Sequence, residues 1–64
     1  MAFRQVWVIQ NKVDGLFLTP NLFWSKWLKQ AGRCYDVQSA MDTGDINCNG
    51  DGYVLSSFWE PEEN

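Results

Sequence analysis

Phe3-Arg4-Gln5-Val6-Trp7-Val8-Ile9-Gln10-Asn11-Lys12-Val13-Asp14-Gly15-Leu16-Phe17-Leu18 is the stretch that decides the fold of this 64-residue chain. Inside it, Val6-Trp7-Val8-Ile9 is apolar without alternation. A strand with one wet face alternates, so Phe3 to Asn11 reads as a strand covered on both faces and central in its sheet. Asp14-Gly15 supplies residues that tolerate left-handed backbone, between that run and Leu16-Phe17-Leu18, and the first eighteen residues therefore read as a β-hairpin.

Working outward, Thr19-Pro20 has the form of a helix N-cap followed by a first helical residue. Phe23, Trp24, Trp27, Leu28 and Ala31 recur at helical spacing, Ser25, Lys26, Lys29 and Gln30 fill the other face, and Gly32 offers a stop. The main helix is accordingly expected over Pro20 to Ala31. Beyond it, Arg33-Cys34-Tyr35 reads as a short strand, Asp36 as the cap of a brief helical piece through Met41, and Thr43 to Gly52 as loop. Tyr53 to Trp59 reads as a strand pairing back on the sheet, and Glu60-Pro61-Glu62-Glu63-Asn64 as an acidic tail. The expected architecture is α+β: a small antiparallel sheet of 3–4 strands with one main helix on a face, residues 1–59 forming a single domain and 60–64 the tail.

Composition narrows the function classes. The chain is 45% hydrophobic and 20% charged, a globular balance, and no apolar run approaches the ~20 residues of a membrane helix. Met1 to Asn11 lacks the apolar core of a secretory signal, so the expected compartment is cytoplasmic. Two cysteines, Cys34 and Cys48, without any histidine, are too few for a disulfide framework or a zinc site and are expected to be reduced thiols. No nucleophile, acid and base set can be assembled, so the reading is of a protein that is not an enzyme and carries no cofactor or metal.

Asp45-Ile46-Asn47-Cys48-Asn49-Gly50-Asp51-Gly52 has the alternating oxygen donors and glycines of a calcium loop, similar to the dockerin form. The acid that closes such a shell is missing, since Phe58 or Ser56 falls at that position, and the segment reads instead as a tight Asn/Gly/Asp turn. Charge is uneven: Arg4, Lys12, Lys26, Lys29, Arg33 and Asp14 give the first part +4, whereas Asp36, Asp42, Asp45, Asp51, Glu60, Glu62 and Glu63 give the rest −7. Two arrangements are open, a dipolar molecule that steers a charged partner or an interleaving that cancels the two halves.

Ten aromatic residues, four of them tryptophan, exceed what so small an interior needs, and Trp and Tyr concentrate binding energy at interfaces. Trp7, Phe17 and Phe23 are assigned to the core. The surplus falls at Trp24 or Trp27, at the helix rim beside Lys26 and Lys29, and at Phe58-Trp59. The candidate partner-binding set is Trp24, Trp27, Phe58, Trp59, Asp45, Asp51 and Glu60.

Val8-Ile9-x-Asn11-Lys12-x-x-Gly15-x-Phe17-Leu18-Thr19, Trp24, Leu28-x-x-Ala31, Tyr35 and Ala40 together resemble a pattern among short accessory proteins of tailed bacteriophages. The resemblance implies binding and blocking of a host enzyme or an antiviral defence component. The expected function is thus an inhibitor that covers a functional surface of a host or defence protein with exposed aromatics and acids. One alternative is a homo-oligomer that sequesters a nucleotide-like small molecule, with Tyr53 stacking on a base and Arg4 or Arg33 meeting phosphate. Another is weak single-stranded nucleic-acid binding through the basic N-terminal half, against which the acidic pI of 4.5 argues.

Overall fold

The computed structural model describes residues 2–48, 50 and 52–62. Four strands form one antiparallel sheet: β1 (Phe3–Asn11), β2 (Phe17–Leu18), β3 (Trp24–Ser25) and β4 (Tyr53–Pro61), in the order β3-β2-β1-β4. Among the described residues a single α-helix, α1 (Val37–Asn47), completes the α+β fold, with one turn of 3-10 helix at Leu28–Gln30. No helix among the described residues is long and apolar enough to cross a membrane.

The β1 strand has the limits expected of it and lies between neighbours. Its ladder with β4 runs unbroken from Phe3↔Pro61 to Asn11↔Tyr53. Its other edge is met by Phe17 opposite Gln10 and by an isolated bridge between Trp7 and Cys34. Asp14-Gly15 makes the first turn: Gly15 takes φ +74, and the Asp14 carboxylate accepts the Leu16 N–H at 3.0 Å. The short strand expected at Arg33-Cys34-Tyr35 reduces to the Cys34 bridge, closed by two bonds with Trp7 of 2.8 and 2.9 Å.

Cross-strand partners share a face, so the register sorts the sheet. Arg4, Val6 and Val8 lie with Glu60, Phe58 and Ser56 on one face; Gln5, Trp7, Ile9 and Asn11 lie with Trp59, Ser57, Leu55 and Tyr53 on the other. Tyr53 meets α1 at Gly44, where an added Cβ would fall 2.5 Å from the ring, so the helix covers the second face. On the first face, Arg33 stands over Phe58 and also holds the Leu28 and Ala31 carbonyls, drawing the Leu28–Ala31 segment over the sheet. Val6, Val8, Ile9, Leu18, Ala31 and Ala40 are buried. The continuous apolar run of β1 has cover on both faces.

Three expectations require correction. Pro20–Ala31 is not a helix. Pro20 instead occupies a turn closed by the Leu22 N–H on the Thr19 carbonyl at 2.9 Å, and the chain reverses so that Leu18 faces Trp24 and Phe17 faces Ser25. Proline fixes φ near −65°, which suits the first residue of a helix and the second of a turn alike, and this is why Thr19-Pro20 misleads. Phe23, assigned to the core, is 71% exposed, because it follows that turn instead of facing inward from a helix.

The second correction is that the main helix is α1. Asp36 caps it as expected, accepting the Ser39 N–H at 2.8 Å, but it continues through Thr43–Asn47, a stretch whose sequence reads as loop. Its buried positions are Ala40 and Gly44, residues too small to register as an apolar stripe. Third, Glu60 and Pro61 are not tail. They belong to β4, and Glu60 is half-buried.

Candidate partner-binding surface

The segment from Thr19 to Arg33 is held mainly by polar groups. Thr19 closes the β2–β3 reversal with three bonds: its N–H donates to the Phe23 carbonyl at 2.7 Å, its carbonyl takes the Leu22 N–H, and its Oγ1 accepts the Phe23 N–H at 3.1 Å. Three residues, Pro20-Asn21-Leu22, span the loop, ending on Leu22 at φ +64. That conformation costs a non-glycine residue roughly 1–2 kcal/mol. Ser25 Oγ accepts the Trp27 N–H at 3.1 Å and donates to Gln30, a local competition that favours a single 3-10 turn over a longer helix.

These clamps leave apolar side chains in water. Leu22 is 59% exposed, Phe23 71% and Trp27 52%, and Leu28 is also exposed. Lys26 Nζ sits 5.0 Å from the Trp27 ring. Trp24 is half-buried on β3 and lines a shallow hollow with Pro20, Phe23 and Gln30. Of the two tryptophans weighed for the rim, Trp27 is the exposed one. Leu22 and Phe23 are the members of this surface that helical periodicity concealed. Thr-Pro-Asn, a strong turn composition, was the signal that could have revealed them.

The remaining candidates are dispersed. Phe58 is half-buried beneath the Arg33 guanidinium, 5.4 Å from its ring centroid. Glu60 is bound by the same guanidinium through Nε at 3.1 and 3.3 Å and through a second nitrogen at 3.0 Å. Trp59, its neighbour, points to the opposite face and is 64% exposed. Asp45 lies on α1 and accepts from the Tyr53 hydroxyl at 2.8 Å; the Met41 carbonyl is 3.0 Å from the same oxygen. That bond to Asp45 is the chief reason the Tyr53 phenol is raised above its ordinary value. Asp51 lies outside the described residues, as does Asn49 of the calcium-like spacing. Asp45 and Asn47, from the same spacing, are helical, and Asn47 Nδ2 donates to the Thr43 carbonyl.

Acid and base interleave where the termini of the sheet meet. Arg4 lies 3.8 Å from the Tyr35 ring centroid and 3.9 Å from Glu62, while Arg33 and Glu60 form the second ion pair among the described residues. Arg4, Tyr35, Glu60, Pro61 and Glu62 line an open hollow of about 440 Å³. Both cysteines are free. Burial, with Asp36 adding to it, pushes the Cys34 thiol up, and burial with Asp14 does the same for Cys48. Both shifts favour the protonated thiol over the thiolate.

No protein-family model, curated protein or solved structure matches the chain.

Proposed function

We propose that this chain is a protein-binding inhibitor, acting by covering a functional surface of its target in the manner of the phage accessory proteins its sequence resembles, within the bacterial cytoplasm. The observation that carries the reading is Leu22. It combines 59% exposure with φ +64, at a turn position where Gly or Asn would relieve the backbone. A folding requirement does not explain an exposed leucine there; a partner that takes up its side chain does. Phe23 and Trp27, both more than half exposed, add aromatic anchors on the same arm.

The contact set differs from the one read in sequence. Phe58, Glu60 and Asp45 are engaged within the domain, so the binding energy is assigned to Leu22, Phe23, Trp27 and Leu28. Sequestration of a nucleotide-like molecule draws little support. The donors of Arg33 are committed to Glu60 and to backbone carbonyls, and the hollow beside Arg4 is lined by two carboxylates that repel phosphate.

The test is affinity capture from bacterial lysate with the wild-type chain, Phe23→Ser/Trp27→Ser and Leu22→Gly. Surface changes of this kind alter stability by about 0.5 kcal/mol or less, and Leu22→Gly, by relieving the turn, raises stability by up to about 1 kcal/mol. The expected outcome is a protein retained by the wild type, lost with the aromatic pair and weakened with the more stable Leu22→Gly. Equal retention by all three sinks the assignment.

A further inference from the structure

The outer edge of β4 can be phased from the ladder it makes with β1. Lys12 N–H donates to the Gly52 carbonyl and Glu62 N–H to the Ala2 carbonyl, each at 2.9 Å. Both are pairs of the same register as the strand, and in an antiparallel ladder bonded and non-bonded pairs alternate. The even-numbered residues of β4 therefore turn their backbone groups toward β1, and Tyr53, Leu55, Ser57 and Trp59 turn theirs away from it. The opposite edge of β1 confirms the phase: odd-numbered Trp7 exchanges both bonds with Cys34, and Asn11 N–H donates to Leu16. Since β4 is the last strand of the sheet, its outward groups have no backbone partner among the described residues.

Sheet edges are ordinarily guarded by charge, proline, a bulge or a short length. From Tyr53 to Trp59 the edge has none of these. The register is unbroken over nine pairs, and the sequence Tyr-Val-Leu-Ser-Ser-Phe-Trp is uncharged. The first charge, Glu60, is held by Arg33, and Pro61 stands at the strand end.

We infer that β4 pairs antiparallel with β4 of a second copy about a two-fold axis at Ser57, joining two four-stranded sheets into one. Outward residues must oppose outward residues with faces matched, which leaves few registers, and the one centred on Ser57 uses the whole strand. It sets Leu55 against Trp59 of the second copy on one face, covering a tryptophan that is 64% exposed. It sets Glu60 against Val54, so no like charges meet, and Pro61 against Tyr53, where the missing N–H costs a bond only at the end. Serine at the axis lets the strands approach without crowding. This surface is separate from the Leu22–Phe23–Trp27 arm, and its test is independent of target binding.

Sedimentation equilibrium over a concentration series is expected to give a reversible dimer. Ser57→Pro removes an outward N–H while leaving the β1 ladder whole, and weakens the dimer roughly tenfold or more. Ser57→Lys does the same by like charge at the axis and serves if the proline variant fails to fold. Paired residues at such an axis stand about 5.5 Å apart at Cα, within disulfide reach. With the free Cys34 and Cys48 replaced by serine, Ser57→Cys should therefore oxidise to a covalent dimer, whereas Ser56→Cys, opposite Phe58, should not. A wild type that sediments as a monomer throughout, a dimer unaffected by Ser57→Pro and Ser57→Lys, or cross-linking equal at 56 and 57 overturns the inference.

Discussion

The β1–β4 pair and the arm from Thr19 to Arg33 both carry bulky apolar side chains, and they dispose of them in opposite ways. In the pair, nine residues of each strand run in register, and Val6 and Val8 are fully buried. The arm holds one strand of two residues and one 3-10 turn. Its shape comes from Thr19, Ser25 and Arg33, and it leaves Leu22, Phe23, Trp27 and Leu28 exposed. Stability in this domain comes from backbone pairing with β-branched side chains beneath it, while the aromatics of the arm are supported by polar clamps. An excess of aromatic residues is here a sign of surface more than of core.

The largest effect should come from placing a charge in the pair. Val8→Asp buries a carboxylate without a partner, at a cost above the about 3–5 kcal/mol that a domain of this size holds. Circular dichroism should show no cooperative transition, and a folded Val8→Asp would mean that the pair is not the core.

Gly44→Ala tests the contact that docks α1 on the same pair. Alanine improves an isolated helix by about 1 kcal/mol, but its Cβ would lie 2.5–2.7 Å from the Tyr53 ring, and overpacking costs about 1–3 kcal/mol. A net loss is expected in denaturant unfolding, partly returned when Tyr53→Leu is added. A gain from Gly44→Ala alone would show that the ring moves aside freely.

Arg33→Ala separates the two regions. It removes the bonds to Leu28, Ala31 and Glu60, at about 1–2 kcal/mol. Amide exchange should quicken across Leu22–Ala31 while β1 and β4 keep their protection. Arg33→Lys should not restore the arm, since an ammonium lacks the fork that reaches carbonyls and carboxylate together.

The smallest effect is one of pH. The Asp36 carboxyl is held below its ordinary value of 3.8, chiefly by the Ser39 backbone N–H and then by the Ser39 hydroxyl. A lowered folded value means that its contribution is present above the unfolded value and lost as pH falls through the folded one. The helical signal should therefore weaken in that acid range, and Asp36→Asn should flatten that part of the profile. An unchanged profile would assign the acid response to other carboxyls.

What was legible in sequence follows the same division. Phe3–Asn11, the Asp14-Gly15 turn, the start of β4 at Tyr53 and the Asp36 cap each rest on signals within a few residues. The arm misled because Phe23, Trp24, Trp27, Leu28 and Ala31 satisfy helical spacing without forming a helix. Of the candidate surface, Trp59 was legible as an exposed aromatic, and sequence narrowed the other to Trp24 or Trp27, of which the fold exposes Trp27. Leu22 and Phe23 were not, since a helical reading placed Phe23 inward. Phe58, Glu60 and Arg33 looked available because nothing local announces that they bind one another.

By itself, the sequence determined the centre of the sheet and its first turn: a doubly covered strand and a left-handed glycine are demands of local chemistry. Only the tertiary structure decided that Thr19-Pro20 turns back upon Leu18, that Gly44 gives α1 room against Tyr53, and that Arg33 spans 27 residues to Glu60. The reason is physical. Each of these choices depends on a group far away along the chain, and a proline, a glycine or an arginine is compatible with several local outcomes until that group is in place.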